Sequence, residues 1–235
     1  IGSGLLVDLY PEREAREMVF AYMESSAGTK RYTHIVEPQH QIADELADKC
    51  VSDFRRMVSG EPIQYVLNEA WFYGRRFNVT PDVLIPRPET EILCRTVLTD
   101  LPDGVFAPSG RVPRILDLCT GSGCIAWTLA LEMPGSEVIG ADISDGALTV
   151  AENQDFSEEM SHTGALRPRF IKADVLSQPS YDIGKFDIIV SNPPYVMESE
   201  KALMRSNVLE HEPHLALFVS DDDPLIFYRA VAQWA

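Results

Sequence analysis

Between positions 5 and 60, apolar residues recur at three- and four-residue steps, the spacing that aligns side chains along one helical face. Ala15, Val19, Phe20 and Met23 form one such stripe. Pro11 with Glu12 and Glu14 predicts its start, because proline suits the first helical turn and acids favour the positive end of the dipole. Gly28 predicts its stop. Ile42, Leu46 and Cys50, continuing toward Phe54, Met57 and Val58, predict a second helix opening at Pro38. Over 61–85 the pattern changes. Tyr65, Val66, Trp71, Phe72, Tyr73, Phe77, Val79 and Val83 are aromatic or β-branched, and Gly74 and Asn78 punctuate them, which predicts a hairpin. Pro86-Arg87-Pro88 can continue neither a ladder nor a helix and marks an extended entry into a second domain. A helix is expected over Glu89–Leu98.

From residue 112 the pattern alternates again. Strands are expected at Arg114–Leu118, Glu137–Ala141, Arg169–Ala173 and Phe186–Ser191, with helices at Cys124–Glu132 and Asp145–Asn153. Strands alternating with helices imply a parallel α/β sheet. The expected organisation is a helical bundle over 1–60, a β-hairpin linker over 61–85 and an α/β domain over 86–235.

Composition narrows the class. The chain has 235 residues, 45% hydrophobic and 24% charged, ordinary values for a globular protein with a real core. No apolar run approaches the roughly 18 residues of a membrane span. The first residues lack the basic-then-apolar pattern of a signal peptide, and they lack an initiator Met. Cys50, Cys94, Cys119 and Cys124 form no CxxC pair, which points to reduced thiols in a cytoplasmic protein. The formal net charge is −16. Residues 1–80 carry 9 basic and 12 acidic side chains, and residues 81–235 carry 11 and 24. That balance argues against a nucleic-acid partner, since counterion release needs cations facing phosphates. His211-Glu212-Pro213-His214 invites a metal reading, but Pro213 prevents the two histidines from sharing a helical face, and no metal is expected.

Asp117-Leu-Cys-Thr-Gly-Ser-Gly-Cys-Ile-Ala126 joins the first strand of the α/β part to its first helix. Gly121 and Gly123 permit a tight turn and a close approach of ligand to backbone. Asp142 follows Gly121 by 21 residues, at the strand end where an acid can accept from ribose hydroxyls. Asp174 ends the next strand, placed for a base edge. Together these imply an adenosine-containing ligand. Gly121-x-Gly123-x-x-Ala126 also fits the dinucleotide pattern, so a nicotinamide-dependent dehydrogenase stays open. Asp117 would repel a pyrophosphate and welcome a cationic sulfonium with its amino-acid tail.

The fourth strand ends in Asn192-Pro193-Pro194-Tyr195. The prolines remove two donors and stiffen the backbone, leaving carbonyls and the Asn192 side-chain oxygen to accept hydrogen bonds beside the Tyr195 ring. Such a corner suits a planar group bearing an NH2. Its nitrogen is a weak nucleophile, so orientation is the main lever, worth up to roughly 7–11 kcal/mol.

The Asn-Pro-Pro-Tyr tetrad after a glycine-loop α/β unit resembles amino-group methyltransferases that use S-adenosylmethionine. More narrowly, Gly60-Glu61-Pro62-Ile63-Gln64-Tyr65, Phe77-x-Val79, Val83-Leu-Ile-Pro-Arg-Pro-Glu-Thr-Glu91, Asp117–Ala126, Ala141–Ser144, Ser191–Tyr195 and Glu212-Pro213-x-x-Ala216-Leu217 resemble the release-factor glutamine methyltransferases, the PrmC/HemK family. The resemblance implies a Rossmann-like class I methyltransferase domain preceded by a small helical bundle and a hairpin, with substrate recognition by the bundle. It implies methyl transfer from S-adenosylmethionine, leaving S-adenosylhomocysteine, to the glutamine amide nitrogen of the Gly-Gly-Gln motif in peptide-chain release factors.

It further implies that Asp117, Cys119, Thr120, Gly121, Ser122 and Gly123 form the cofactor loop, that Asp142 binds the ribose, and that Asp174 and Val175 flank the adenine. Asn192 would touch cofactor and substrate. Asn192, Pro193, Pro194 and Tyr195 would be the catalytic clamp on the amide, with Arg87–Glu91, Arg87 and Glu89 foremost, lining the substrate pocket. The same chemistry on an exocyclic amine of DNA or RNA is the alternative, disfavoured by charge. Departures from the family pattern are Cys119 and Asn68 in place of glycine, Val175 in place of an aromatic, and Asp221-Asp222-Asp223-Pro224 in place of a glycine-rich turn. The fold implied has further strands beyond Ala235.

Overall fold

The computed structural model describes residues 2–37, 39–100, 113–177 and 183–235. The chain divides into two units, one of Ile1–Asn68 with Arg205–His211, the other of Glu69–Met204 with Glu212–Ala235. The first unit contains α1 (Gly2–Leu6), α2 (Glu12–Ala27), α3 (Thr33–Val36), α4 (Asp44–Val58) and α5 (Ile63–Leu67). Helix α2 runs between Pro11 and Gly28, and Gly28 closes it with a left-handed φ of 62°. Leu6, Ala15, Tyr22, Cys50, Phe54 and Met57 form the core of this unit. Within it the Tyr22 hydroxyl donates to the buried Asp53 carboxylate across 2.7 Å.

Two local expectations are corrected here. Helix α4 begins at Asp44, not near Pro38, which itself lies outside the described residues. Asp44 and Glu45 occupy its first turn, where acids stabilise a helix start, and Ile42 reaches the core from non-helical backbone. The hairpin expected over 61–85 is confined to 69–78, and residues 63–67 are a helical turn. Pro62 presets its entry, and Asn68 ends it in the left-handed region at φ 55°. Ile63, Val66 and Leu67 pack on the helical core. Packing on a helical face outweighs the strand preference of Tyr65 and Val66.

The second unit opens with β1 (Glu69–Phe72) and β2 (Arg75–Asn78), antiparallel, with Phe72 opposite Arg75. Tyr73 and Gly74 turn the chain with φ of 50° and 74°, the doubly left-handed turn that matches strand twist. Phe72 and Phe77 point inward and are fully buried in this unit's core. Helix α6 (Pro88–Asp100) comes after them in the chain.

A parallel sheet comes next, from β3 (Arg114–Leu118), β4 (Glu137–Asp142), β5 (Arg169–Lys172) and β6 (Ile188–Ser191), in the spatial order β5-β4-β3-β6. Helix α7 (Cys124–Glu132) links β3 to β4, and α8 (Asp145–Glu152) and α9 (Ser157–Thr163) lie between β4 and β5. Successive residues of β3 serve opposite faces. Ile115 joins the core formed with α7, while Leu116 and Leu118 join the core on the other side. Every residue from Cys124 to Leu131 is buried, as befits a helix apolar all round.

Strand β6 starts at Ile188 rather than at Phe186. Phe186 instead lies under the Arg114 guanidinium, 4.9 Å from its ring centre, and the Asp187 carboxylate accepts the Arg114 amide at 2.9 Å. The remainder comprises β7 (Val196–Met197), α10 (Ser206–His211, part of the first unit), β8 (Phe218–Val219) and α11 (Ile226–Trp234). Strand order reverses between β3 and β6, and in open α/β sheets the crevice beyond the strand ends at such a reversal is where ligands bind.

Candidate active site

Three of the five residues after β3 take the left-handed backbone region. Cys119, Gly121 and Gly123 have φ of 58°, 54° and 78°. Gly123 is required twice over. A Cβ there would lie 3.0–3.2 Å from Trp127, Ala151 and Phe170, whereas one on Gly121 would meet nothing within 4 Å. The bend is held by the Thr120 amide on the Ala141 carbonyl at 3.0 Å and the Gly123 amide on the Thr120 carbonyl at 2.9 Å.

Asp117 braces the bend from below. It is fully buried. Its Oδ2 accepts the Thr120 hydroxyl at 2.5 Å and the Ala126 amide at 3.1 Å, and its Oδ1 has no partner among the described residues. Burial pushes its pKa up to about 7, against the opposing pull of those hydrogen bonds. Asp117 is absent from the cavity wall, so the expectation that it greets a cation directly is corrected: side chains of β3 alternate, and Asp117 falls on the α7 side, where it accepts the Ala126 amide.

Above the bend is a cavity of about 350 Å³. Cys119, Thr120, Gly121 and Ser122 form one wall, and Asp142, Asp174 and Val175 another. Asp142 accepts the Gly121 amide at 2.9 Å and the Ser144 amide at 3.0 Å. Each oxygen keeps a further lone pair, which ribose hydroxyls could use. Burial raises its pKa, opposed by these amides. Capping of α8 falls to Ser144, whose Oγ accepts the Ala147 amide at 3.2 Å. Asp174 closes its own turn, accepting the Leu176 amide at 2.9 Å and the Ser177 hydroxyl at 3.1 Å.

Asn192 and Pro194 enter the same cavity from the end of β6. In register, Leu118 pairs with Ser191, so the next residue on each strand leaves the sheet beside the other. The Asn192 amide donates to the Thr90 hydroxyl across 3.4 Å, which leaves its carbonyl oxygen as an acceptor. The chain exits through the Val196 amide on the Leu217 carbonyl at 3.0 Å. Arg87 and Thr90 complete this side.

Pro193, Tyr195, Glu89, Asp117 and Gly123 are not part of the wall. Pro193 is buried and Tyr195 is 57% exposed. Glu91, not Glu89, is engaged, accepting the Tyr73 amide at 2.8 Å.

Thr90 lies within the Arg87–Glu91 stretch expected to line the pocket, whereas the sequence pointed to no role for Ile143, Leu176 or Phe227, which also line the cavity. Ile143 and Leu176 come directly or nearly so after the acids that end β4 and the segment after β5, a usable signal. Phe227 carried none. His214 sits edge-on to Phe218 with ring centres 5.1 Å apart, and Glu212 is committed to Arg87. Among the described residues no three His, Cys, Asp or Glu side chains gather as metal ligands.

An adenosine-sulfonium ligand fits this donor set. Carboxylates suit ribose hydroxyls and a cation, open glycine backbone allows close approach, and Ile143, Val175 and Leu176 offer apolar walls for a base.

Residues 95–216 match the family model described as Methyltransferase small domain. A protein of Flavobacterium psychrophilum named release factor glutamine methyltransferase is 36% identical over 230 residues, covering 98% of this chain and 77% of that one. One of the same name from Bacteroides thetaiotaomicron is 46% identical over 178 residues, covering 76% and 59%. A third, from Bacillus subtilis, is 39% identical over 228 residues, covering 97% and 75%. The chain thus spans from 59% to 77% of the length of these three relatives. Among the described residues no helix is long and apolar enough to cross a membrane.

Proposed function

Because the chain belongs to the release factor glutamine methyltransferase family, we propose that it methylates the glutamine amide nitrogen of the Gly-Gly-Gln motif in peptide-chain release factors, with S-adenosylmethionine as donor. The observation that carries this reading is the meeting of two motifs in one cavity: the 119–122 bend and the corner that supplies Asn192 and Pro194. When bound, the cofactor supplies an electrophilic methyl group on a sulfonium.

The protein's own residues do the rest. Asp142, Asp174 and Val175 hold the adenosine end, and the bend offers open backbone. Asn192 is restrained through its amide by Thr90, so its carbonyl oxygen serves as an acceptor for one N–H of the substrate carboxamide. Pro193 and Pro194 carry no N–H, so their segment presents acceptors only. Fixing both N–H bonds aims the nitrogen lone pair, and orientation of this kind lowers the barrier most for a delocalised, weak nucleophile. No general base is required before transfer, because the departing proton becomes acidic only as the N–C bond forms. Tyr195, exposed beside the corner, offers an aromatic face to the incoming loop.

Within this reading, residues 1–60 recognise the body of the release factor, and residues 86–235 carry the chemistry. The protein works in the cytoplasm, where release factors act and where its cysteines stay reduced. The test is mass spectrometry of a folded release factor before and after incubation with enzyme and S-adenosylmethionine. A gain of one methyl mass on the Gly-Gly-Gln peptide, lost with Asn192→Ala, is the expected result. Methylation of DNA or RNA instead, in a competition with release factor, overturns the substrate assignment.

A further inference from the structure

Arg87 is the one cation among the described residues that wall the cavity, where Asp82, Asp142 and Asp174 supply the carboxylates. A free guanidinium in a cavity that accepts a sulfonium would oppose it, since like charges several ångströms apart in a part-buried site repel appreciably. The structure gives Arg87 a counter-charge of its own. Glu212 Oε1 lies 2.5 Å from Arg87 Nη2, and the Glu212 side chain is only 1% exposed against 34% for Arg87. The other oxygen, Oε2, accepts the Ile85 amide at 3.2 Å. Each carboxylate oxygen therefore has a partner, and both partners lie on the short segment that leads through Pro86 into α6. The carboxylate is fixed by backbone as well as by charge, so it cannot swing away toward a passing cation.

We infer that Glu212 is a positioning residue that cancels the charge of Arg87, so that the cavity's acidic character, and with it the preference for a sulfonium over a neutral thioether, is preserved. This deepens the S-adenosylmethionine reading and rests on it. Residues that merely hold the fold would affect both ligand forms alike. Charge cancellation affects only the charged one.

The experiment is calorimetry on the full chain with S-adenosylmethionine and S-adenosylhomocysteine, which differ by one methyl group and one positive charge. In Glu212→Gln the guanidinium is left uncompensated, and the Kd for S-adenosylmethionine rises about tenfold more than the Kd for S-adenosylhomocysteine. In Arg87→Met the buried carboxylate is left uncompensated instead, and the ratio of the two Kd values moves the opposite way. The double variant returns the ratio to its starting value. Equal weakening of both ligands, or no change in the ratio, overturns the inference. Where Glu212→Gln does not fold, Arg87→Met decides alone by the same criterion. Failure of the parent protein to bind either ligand would refute the cofactor reading itself, whereas normal binding with an unmoved ratio refutes only the role of Glu212.

Discussion

Ser191 donates its hydroxyl to the Leu118 carbonyl across 2.7 Å, and the same two residues are partners in the parallel register of β3 and β6. The bond locks the two strand ends level at the point where the sheet order reverses. Cys119 and Asn192, the next residue on each strand, thereby leave the sheet side by side and line one cavity. The bend after β3 and the corner after β6 thus take their relative position from this strand pairing.

The acceptor corner depends in turn on the orientation of one amide. Asn192→Ala removes the acceptor and is expected to lower kcat about 10²–10³-fold, the scale for loss of one preorganised group at a reacting centre. Thr90→Val keeps the acceptor but frees the amide to rotate, and is expected to lower kcat about tenfold. The Kd for S-adenosylhomocysteine should change far less than kcat in Thr90→Val. Steady-state kinetics on a release factor, with calorimetry beside it, checks both. An unchanged kcat in Thr90→Val would show that the 3.4 Å contact does not orient Asn192.

Much of this was legible from residues alone, and the limits have physical causes. Strand β3 and helix α7 match their expected bounds residue for residue, because a buried alternating strand, a glycine bend and an all-apolar helix leave one solution. Residues 63–67 misled because aromatic and β-branched side chains fill a helical core as readily as a strand. Asp117 is legible as an acid on the strand leading into the bend, but the face of β3 it serves depends on which side α7 packs. Glu212 belongs to a recognisable motif, yet its partner Arg87 lies 125 residues away, a pairing that no local pattern encodes.

Cys119 occupies a left-handed position at φ 58°. A side chain there costs about 1–2 kcal/mol, while glycine returns part of the gain through unfolded-state entropy, about 0.4–1 kcal/mol. Cys119→Gly is therefore expected to raise stability by about 0.5–1 kcal/mol in urea denaturation, and Cys119→Ala to give no such gain. Burial, reinforced by the Asp142 charge, pushes the Cys119 thiol up to about 12. Alkylation of Cys119 by iodoacetamide is accordingly expected to be slow at about pH 8 and to accelerate as pH rises. Rapid labelling at neutral pH would contradict the half-buried, anion-flanked setting.

Asp117 makes stability depend on pH in a definite direction. Its folded pKa of about 7 stands above the unfolded carboxyl value, so between roughly pH 4 and 7 the folded state holds the extra proton. Stability from this group is full below that window and falls as pH rises through it, by at most about 4 kcal/mol. Asp142, also raised, adds in the same direction. Asp117→Asn removes the titration while keeping an acceptor for Thr120 and Ala126. Urea denaturation at about pH 4.5 and about pH 7.5 should show the parent protein losing stability relative to the variant as pH increases. Parallel pH profiles for the two proteins would refute it, and because only their difference is read, other titrating groups cancel.

Gln154 ties the hairpin to the bend after β3. It is almost wholly buried. Its Oε1 accepts the Asn78 amide at 2.8 Å, and its Nε2 donates to the Asn78 carbonyl at 2.9 Å and the Ser122 carbonyl at 3.2 Å. One side chain thus completes the ladder at the end of β2 and pins the bend between its two glycines. Gln154→Leu has similar volume but leaves one amide and two carbonyls without partners. Each orphaned buried group costs about 1–3 kcal/mol, so a loss of about 2–4 kcal/mol is expected after partial relaxation. Ser122 lines the cavity, so the loosened bend should also raise the Kd for S-adenosylhomocysteine several-fold. Gln154→Glu separates the two effects: it keeps the acceptor for Asn78 but sets a carboxylate against both carbonyls, and should weaken ligand binding at least as much as the leucine. Denaturation and calorimetry on the two variants provide the check, and a leucine variant as stable as the parent, with ligand affinity intact, would mean that the bend holds its shape without this bridge.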